Sequence, residues 1–274
     1  MPKQTKHNKN KPAARVAGRR MQKWARALLT LLALGTLLGA AVLVVPVTRC
    51  DARGQTRYSA EEFAAAMELG KHGLRLYNLD KQALAGKIHA ALPYARVTAI
   101  QRGFPNVLHL TVEELVPVFT QEQDGLWWLL SESGRLLEAT AQPPSGLMPV
   151  TGARLESPRS GLDARWVDAF TAPGDLSLLR DALLESPLWP EITGLRVSTA
   201  ALPDVLYQGR IRLRLGTVFA QDGGRDTLQQ KLRTAEGAIA ELNAQNPGYQ
   251  GVVDVYAPGK AYSTSEWDAP EGSP

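Results

Sequence analysis

An acyl-transfer enzyme needs a nucleophile held against a base, and a metalloenzyme needs closely spaced ligands. Neither arrangement is written in this chain. No Ser-x-x-Lys occurs at any of the ten lysines, which removes one serine-nucleophile motif. Cys50 is the only cysteine and is expected at the bilayer surface, where a thiol has no scaffold to hold a base beside it. His72, His89 and His109 fall in a loop, a helix and a strand, without His-x-x-x-His or His-Glu-x-x-His spacing. Glu113 and Glu114 are neighbours on a predicted strand and point to opposite faces, so they cannot act as a facing carboxylate pair. Arg210, Arg212 and Arg214 line one face of another strand; a solvated outer face is the first reading, and contact with an anionic glycan or an acidic partner the second. The expectation is a chain with no catalytic residues, no cofactor and no metal site.

The elements that would position any function begin with charge. Nine of the 31 Lys and Arg lie in residues 1–26, which hold no Asp or Glu. The remaining 22 basic residues face 27 acidic ones, a net charge of −5, so nucleic-acid binding has no compositional support. The basic tail (1–26) is expected to be disordered and to lie against anionic lipid. Residues 27–47 carry no charge and predict a single transmembrane helix, with the N-terminus in the cytoplasm and the rest outside. Arg49 before Cys50 disfavours lipidation of that thiol, and one cysteine allows no intrachain disulfide. Gly35 and Gly39 have the G-x-x-x-G spacing of packed membrane helices.

Beyond the tail, Ser59-Ala60-Glu61-Glu62 has the form of a capping box and opens a first helix. Asp80 is a natural N-cap for a second, with Leu84, Ile88 and Leu92 on one face. Leu108, Leu110 and Val112 alternate with His109, Thr111 and Glu113, the pattern of a half-buried strand. With strands over Ala95–Arg102 and near Val47–Arg53, the order over 48–115 is β-α-α-β-β, that of a POTRA domain. The run from Pro93 to Val118 (PYARVTAIQRGFPNVLHLTVEELVPV) resembles, without a gap, the PxVxxAxVxRxxPxxLxIxVxERxPVA stretch of the bacterial FtsQ/DivIB cell-division proteins. Ala95 replaces the usual Val, and Leu115 replaces the Arg of the Glu-Arg pair.

Residues 116–257 read as a second, mostly β unit. Trp127–Leu130 and Arg135–Glu138 flank a four-residue hairpin signal, and Met148–Gly152 is similar to the family's LPxLxG. Leu176, Leu179 and Leu183 mark a helix, Ile192–Val197 a strand, and Val205–Tyr207 with Arg210–Leu215 a hairpin. Leu228, Leu232, Ala235, Ile239 and Leu242 predict a helix over Asp226–Gln245 packed on the sheet. Val252–Tyr256 is the last expected strand, and 258–274 a flexible tail. The expected class is therefore α+β: one transmembrane helix, a POTRA domain, and a mostly antiparallel β-domain with a packed C-terminal helix and a final edge strand.

The resemblance implies a non-catalytic scaffold of the divisome, at the cytoplasmic membrane and enriched at the septum. Its partners would be FtsL-like and DivIC/FtsB-like coiled-coil proteins and, indirectly, the septal peptidoglycan synthase. It also implies that the C-terminal edge of the β-domain receives the DivIC/FtsB-like partner. The expected partner-binding residues are Val252, Val253, Asp254, Val255 and Tyr256, with Tyr256, Tyr262 and Trp267 as aromatic anchors. Two alternatives remain: a POTRA-type polypeptide-binding module in secretion or membrane assembly, and a membrane-anchored cell-wall enzyme with an unrecognised site.

Overall fold

Short-range hydrogen bonds start both helices of the first unit. The Ser59 hydroxyl accepts from Glu62 N while the Glu62 carboxylate accepts from Ser59 N (2.7 Å), and Asp80 accepts from Gln82 N and Ala83 N. The computed structural model describes residues 24–37, 46–54, 57–69, 79–103, 106–169, 171–198, 202–217 and 224–265. Helices α2 (Ala60–Ala66) and α3 (Lys81–Ala91) bury Phe63, Leu84 and Ile88. Beneath them lie β1 (Arg49–Arg53), β2 (Ala95–Gly103) and β3 (Val107–Glu114), in the order β1-β3-β2, with β1 parallel and β2 antiparallel to β3. Leu108, Leu110 and Val112 face the helices, so the element order over 49–114 is β-α-α-β-β.

The transmembrane expectation is corrected. Among the described residues the apolar stretch is helical over 24–37 (α1). No helix among the described residues is long and apolar enough to cross a membrane. Most of the basic tail (1–23) and residues 38–45, Gly39 among them, lie outside the described residues.

A nine-stranded sheet forms the second unit. Its strands are β4 (Pro117–Gln123), β5 (Leu126–Ser131), β6 (Leu136–Thr140), β7 (Met148–Gly152), β8 (Ile192–Val197), β9 (Asp204–Tyr207), β10 (Ile211–Arg214), β11 (Gly251–Ala257) and β12 (Lys260–Thr264). They run β12-β11-β10-β9-β8-β7-β4-β5-β6. Helices α4 (Pro173–Leu184) and α5 (Gly224–Gln245) cover one face, burying Leu176, Leu179 and Leu183 and Leu228, Leu232, Ala235 and Ile239 against Leu195, Val205, Leu213, Val253 and Val255. The sheet is mixed: β4/β7, β7/β8 and β10/β11 pair in parallel across long connections, and the other five pairings are antiparallel, as expected. One feature of the expected β-domain is corrected. Val252–Tyr256 is not the edge: Pro258-Gly259, with Gly259 at φ +76°, turns the chain so that β12 pairs antiparallel with β11 outside it.

The two units meet at Tyr94, Leu115, Leu129 and Leu137, which bury one another. Leu115 stands where the resembled family has Arg, and here it fills an apolar junction while its N–H donates to Tyr94 O (2.8 Å). Nearby, His89 Nε2 accepts from Val97 N (3.1 Å), and burial, with Arg135 beside it, pushes this imidazole down to about 4, so it is neutral at pH 7. Gly161 sits at φ +84°, where a Cβ would lie 2.2 Å from His89 O. Gly161→Ala must therefore push α3 away from the second unit, at roughly 2 kcal/mol or more. Gly146→Ala has a similar φ (+76°) and open space, and provides the backbone-only control. Urea unfolding should show the first variant clearly weaker than the second; equal midpoints would mean that this contact carries no load.

Candidate functional site

Two successive bends of the chain place the expected partner residues. Along β11, Val253 and Val255 face α5 and the core. Val252 and Asp254 project from the opposite, helix-free face by strand alternation, with Val252 buried and Asp254 half-buried. Tyr256 is 80% exposed at the end of the strand, and Tyr262 on β12 is 67% exposed. Asp254 and Tyr262 are direct cross-strand partners. Trp267 lies outside the described residues. The structure thus brings Asp254 and Tyr262 together and keeps Val253 and Val255 inside, away from any partner.

The free edge belongs to β12. Gly259 N donates to the Thr234 hydroxyl (2.9 Å), which ties the turn to α5, and the Tyr249 hydroxyl donates to Thr264 O (2.7 Å) at the other end. Ala261 packs on the core, while Lys260, Tyr262, Ser263 and Thr264 are exposed. In an antiparallel pair, alternate residues turn their N–H and C=O away from the neighbouring strand. Among the described residues β12 is the end strand of its sheet, so those groups on its outer side have no strand among them to meet.

Register builds a second feature that sequence reading missed. Thr151 pairs with Arg196, Arg196 with Asp204, Arg214 with Asp254, and Asp254 with Tyr262. The Arg214 guanidinium stands 3.8 Å from the Asp204 carboxylate, which closes the row. Side chains of alternating charge therefore cross the helix-free face from β8 to β11 and end at Tyr262 beside the free edge. Asp204 is 2% exposed, and burial pushes its carboxyl up to about 6 despite Arg214, Arg212 and Arg196. The solvated reading of Arg210, Arg212 and Arg214 is corrected in part. Arg212 is buried, and Arg210 is a structural clamp on Tyr249 O (2.7 Å) and Asn243 Oδ1 (2.8 Å). Of the three, only Arg214 is exposed. Lys231, inside the apolar stripe of α5, donates to Leu215 O (2.6 Å), and burial lowers its pKa.

The groups considered for chemistry are placed apart. Cys50 is half-buried, and burial, with Asp51 adding to it, pushes the thiol up to about 11, so it is a poor nucleophile. His109 Nδ1 lies 3.1 Å from Asp51, and Glu113 pairs with Arg96 (2.6 Å). His72 lies outside the described residues. Among the described residues, no three His, Cys, Asp or Glu side chains are grouped to hold a metal ion. Scanned against protein-family models and searched against curated proteins, the chain matches none.

Proposed function

We propose that this chain is a cell-division scaffold of the FtsQ/DivIB kind, acting at the outer face of the cytoplasmic membrane at the septum. It binds FtsL-like and DivIC/FtsB-like proteins and, through them, regulates septal peptidoglycan synthesis. The observation that carries the reading is the end strand β12, which no other strand among the described residues covers, with Tyr262 and Tyr256 exposed beside it. The resemblance of Pro93–Val118 supplies the class of partner. An extended segment of a coiled-coil protein would add a strand to β12, backbone pairing giving affinity and the tyrosines anchoring it. The partner site therefore moves from Val252–Tyr256 to Lys260–Thr264, with Tyr256 retained.

Adjacent residues of a strand direct their N–H groups to opposite sides, so Tyr262→Pro and Ser263→Pro separate two roles. One removes a bond to β11, and the other removes a donor facing the partner. Full-length variants expressed in the native membrane should differ: at least one should fold like the parent by circular dichroism and yet lose co-purification of coiled-coil division proteins by tenfold or more. Undiminished capture by both variants would sink the β12 site, and capture of no division protein by the parent chain would sink the scaffold.

A further inference from the structure

Three strands begin at one place in the sheet. Because β7 runs parallel to both β4 and β8, Pro117-Val118, Met148-Pro149 and Ile192-Thr193 gather at the same end. The turn before β7 passes beside them through Gly146, at φ +76°. Two elements from the helical side complete the wall. Helix α4 contributes Arg180, and a single 3-10 turn (Trp189–Glu191), whose first N–H donates to Ser186 O (3.1 Å), contributes Trp189. Together they enclose a cavity of about 430 Å³ on a floor of Val118, Leu147, Met148 and Ile192.

The polar side chains of this wall offer donors and lack acceptors. The nearest carboxylate oxygens to Arg180, those of Glu132 and Asp181, stand 3.4 and 3.6 Å from its Nη1. Charge-assisted hydrogen bonds are shorter, at about 2.7–2.9 Å, so the guanidinium is loosely held. The indole N–H of Trp189 has no acceptor among the described residues, although an indole so half-buried ordinarily finds one. Neither group is sealed in the interior, because the buried, unbonded side-chain atoms among the described residues belong to Thr120, Arg135 and Arg212. Thr193 is already used: its hydroxyl donates to Leu206 O (3.2 Å) and accepts from Gly209 N (3.1 Å). No carboxylate among the described residues lines the cavity.

We propose that this cavity binds a carboxylate carried on an apolar body of one or two amino-acid residues. The carboxylate accepts from the Arg180 guanidinium and the Trp189 indole, and the apolar part lies on Met148 and Ile192. Charge complementarity selects the head, since a cation with no carboxylate on its own wall, beside a second donor, calls for a group that only accepts. The guanidinium fork matches the two oxygens of a carboxylate in particular. The floor selects the body, which gains by leaving water, and the volume lies at the small end of ligand sites, about 300–1,000 Å³. A polypeptide's C-terminal residue and a glutamate between apolar neighbours both offer this chemistry. The site stands apart from the β12 reading, with three strands between β8 and β12.

The test follows the Trp189 indole N–H of the purified full-length protein by heteronuclear NMR, the resonance being identified as the one that Trp189→Phe removes. The probes are acetyl-leucyl-phenylalanine as the free acid, its C-terminal amide, a blocked leucine-glutamate-leucine peptide, and acetate. The free acid is expected to shift the resonance saturably, the amide to bind at least about tenfold more weakly, and acetate to leave it in place at about 10 mM. Binding of the glutamate peptide as tightly as the free acid assigns the site to a side-chain carboxylate, and its failure assigns it to a chain terminus. Arg180→Gln should weaken the free acid about tenfold, with part of the loss restored in Arg180→Lys. Glu132→Gln leaves the wall intact and removes the nearest competing carboxylate, so it should tighten binding and decides the matter even if Arg180→Gln does not fold. No shift with the free acid up to about 10 mM would overturn the proposal, as would equal affinity for the amide, acetate binding as tightly, or indifference to both Arg180→Gln and Glu132→Gln.

Discussion

Leu110→Asp unfolds the first unit at ordinary temperature, while its neighbour Thr111→Asp leaves the melting point nearly where it was. Leu110 is fully buried between β3 and the two helices, in the cluster formed with Phe63, Leu84 and Ile88. The substitution forfeits roughly 2 kcal/mol of apolar burial. It also leaves a carboxyl group in an apolar site at a further few kcal/mol, even when the group takes up a proton. A total of about 5 kcal/mol is comparable with the whole stability of a small domain. Thr111 is exposed on the other face and pairs in register with Arg53 of β1, so an aspartate there gains an opposite-charge neighbour. Its cost should stay within about 0.5 kcal/mol. Scanning calorimetry separates the two, and equal melting temperatures would mean that the register of β3 is wrong.

The residues that were legible beforehand share a reason. Ser59 and Asp80 act within three residues of themselves, and β3 and α5 carry periodic apolar stripes, so a local window holds the whole signal. What escaped lacks such a window. β12 reads Lys-Ala-Tyr-Ser-Thr, with one partly buried position, and its pairing with β11 is announced only by Pro258-Gly259. β4 buries Gln121 at 4% exposure by bonding it to Trp166, so polarity there did not mean exposure. Residues 27–47 gave the opposite error: hydropathy registers an apolar stretch, whereas no helix among the described residues is long and apolar enough to cross a membrane. The charged row was beyond any local reading. Arg196, Asp204, Arg214 and Asp254 come from four strands, and only the sheet register aligns them.

That row makes stability and pH opponents between about pH 4 and 6. The Asp204 carboxyl has a folded pKa of about 6 against 3.8 for the free side chain, with burial the first cause. A carboxyl raised on folding binds its proton more tightly in the native state, so the protein is favoured while Asp204 is protonated and loses that advantage as pH rises through 6. A rise of that size corresponds to something on the order of 3 kcal/mol. Asp51 and Glu62 run the other way, lowered by His109 and by Ser59, and their stabilising contribution is lost only as pH falls below the ordinary carboxylate range. Comparing the parent with Asp204→Asn cancels them. The gap in unfolding free energy, parent minus variant, should shrink by up to about 3 kcal/mol between pH 4 and pH 7.5 in urea titrations. A gap independent of pH would show that Asp204 ionises on folding as it does in water, and that Arg196, Arg212 and Arg214 already compensate its burial in full.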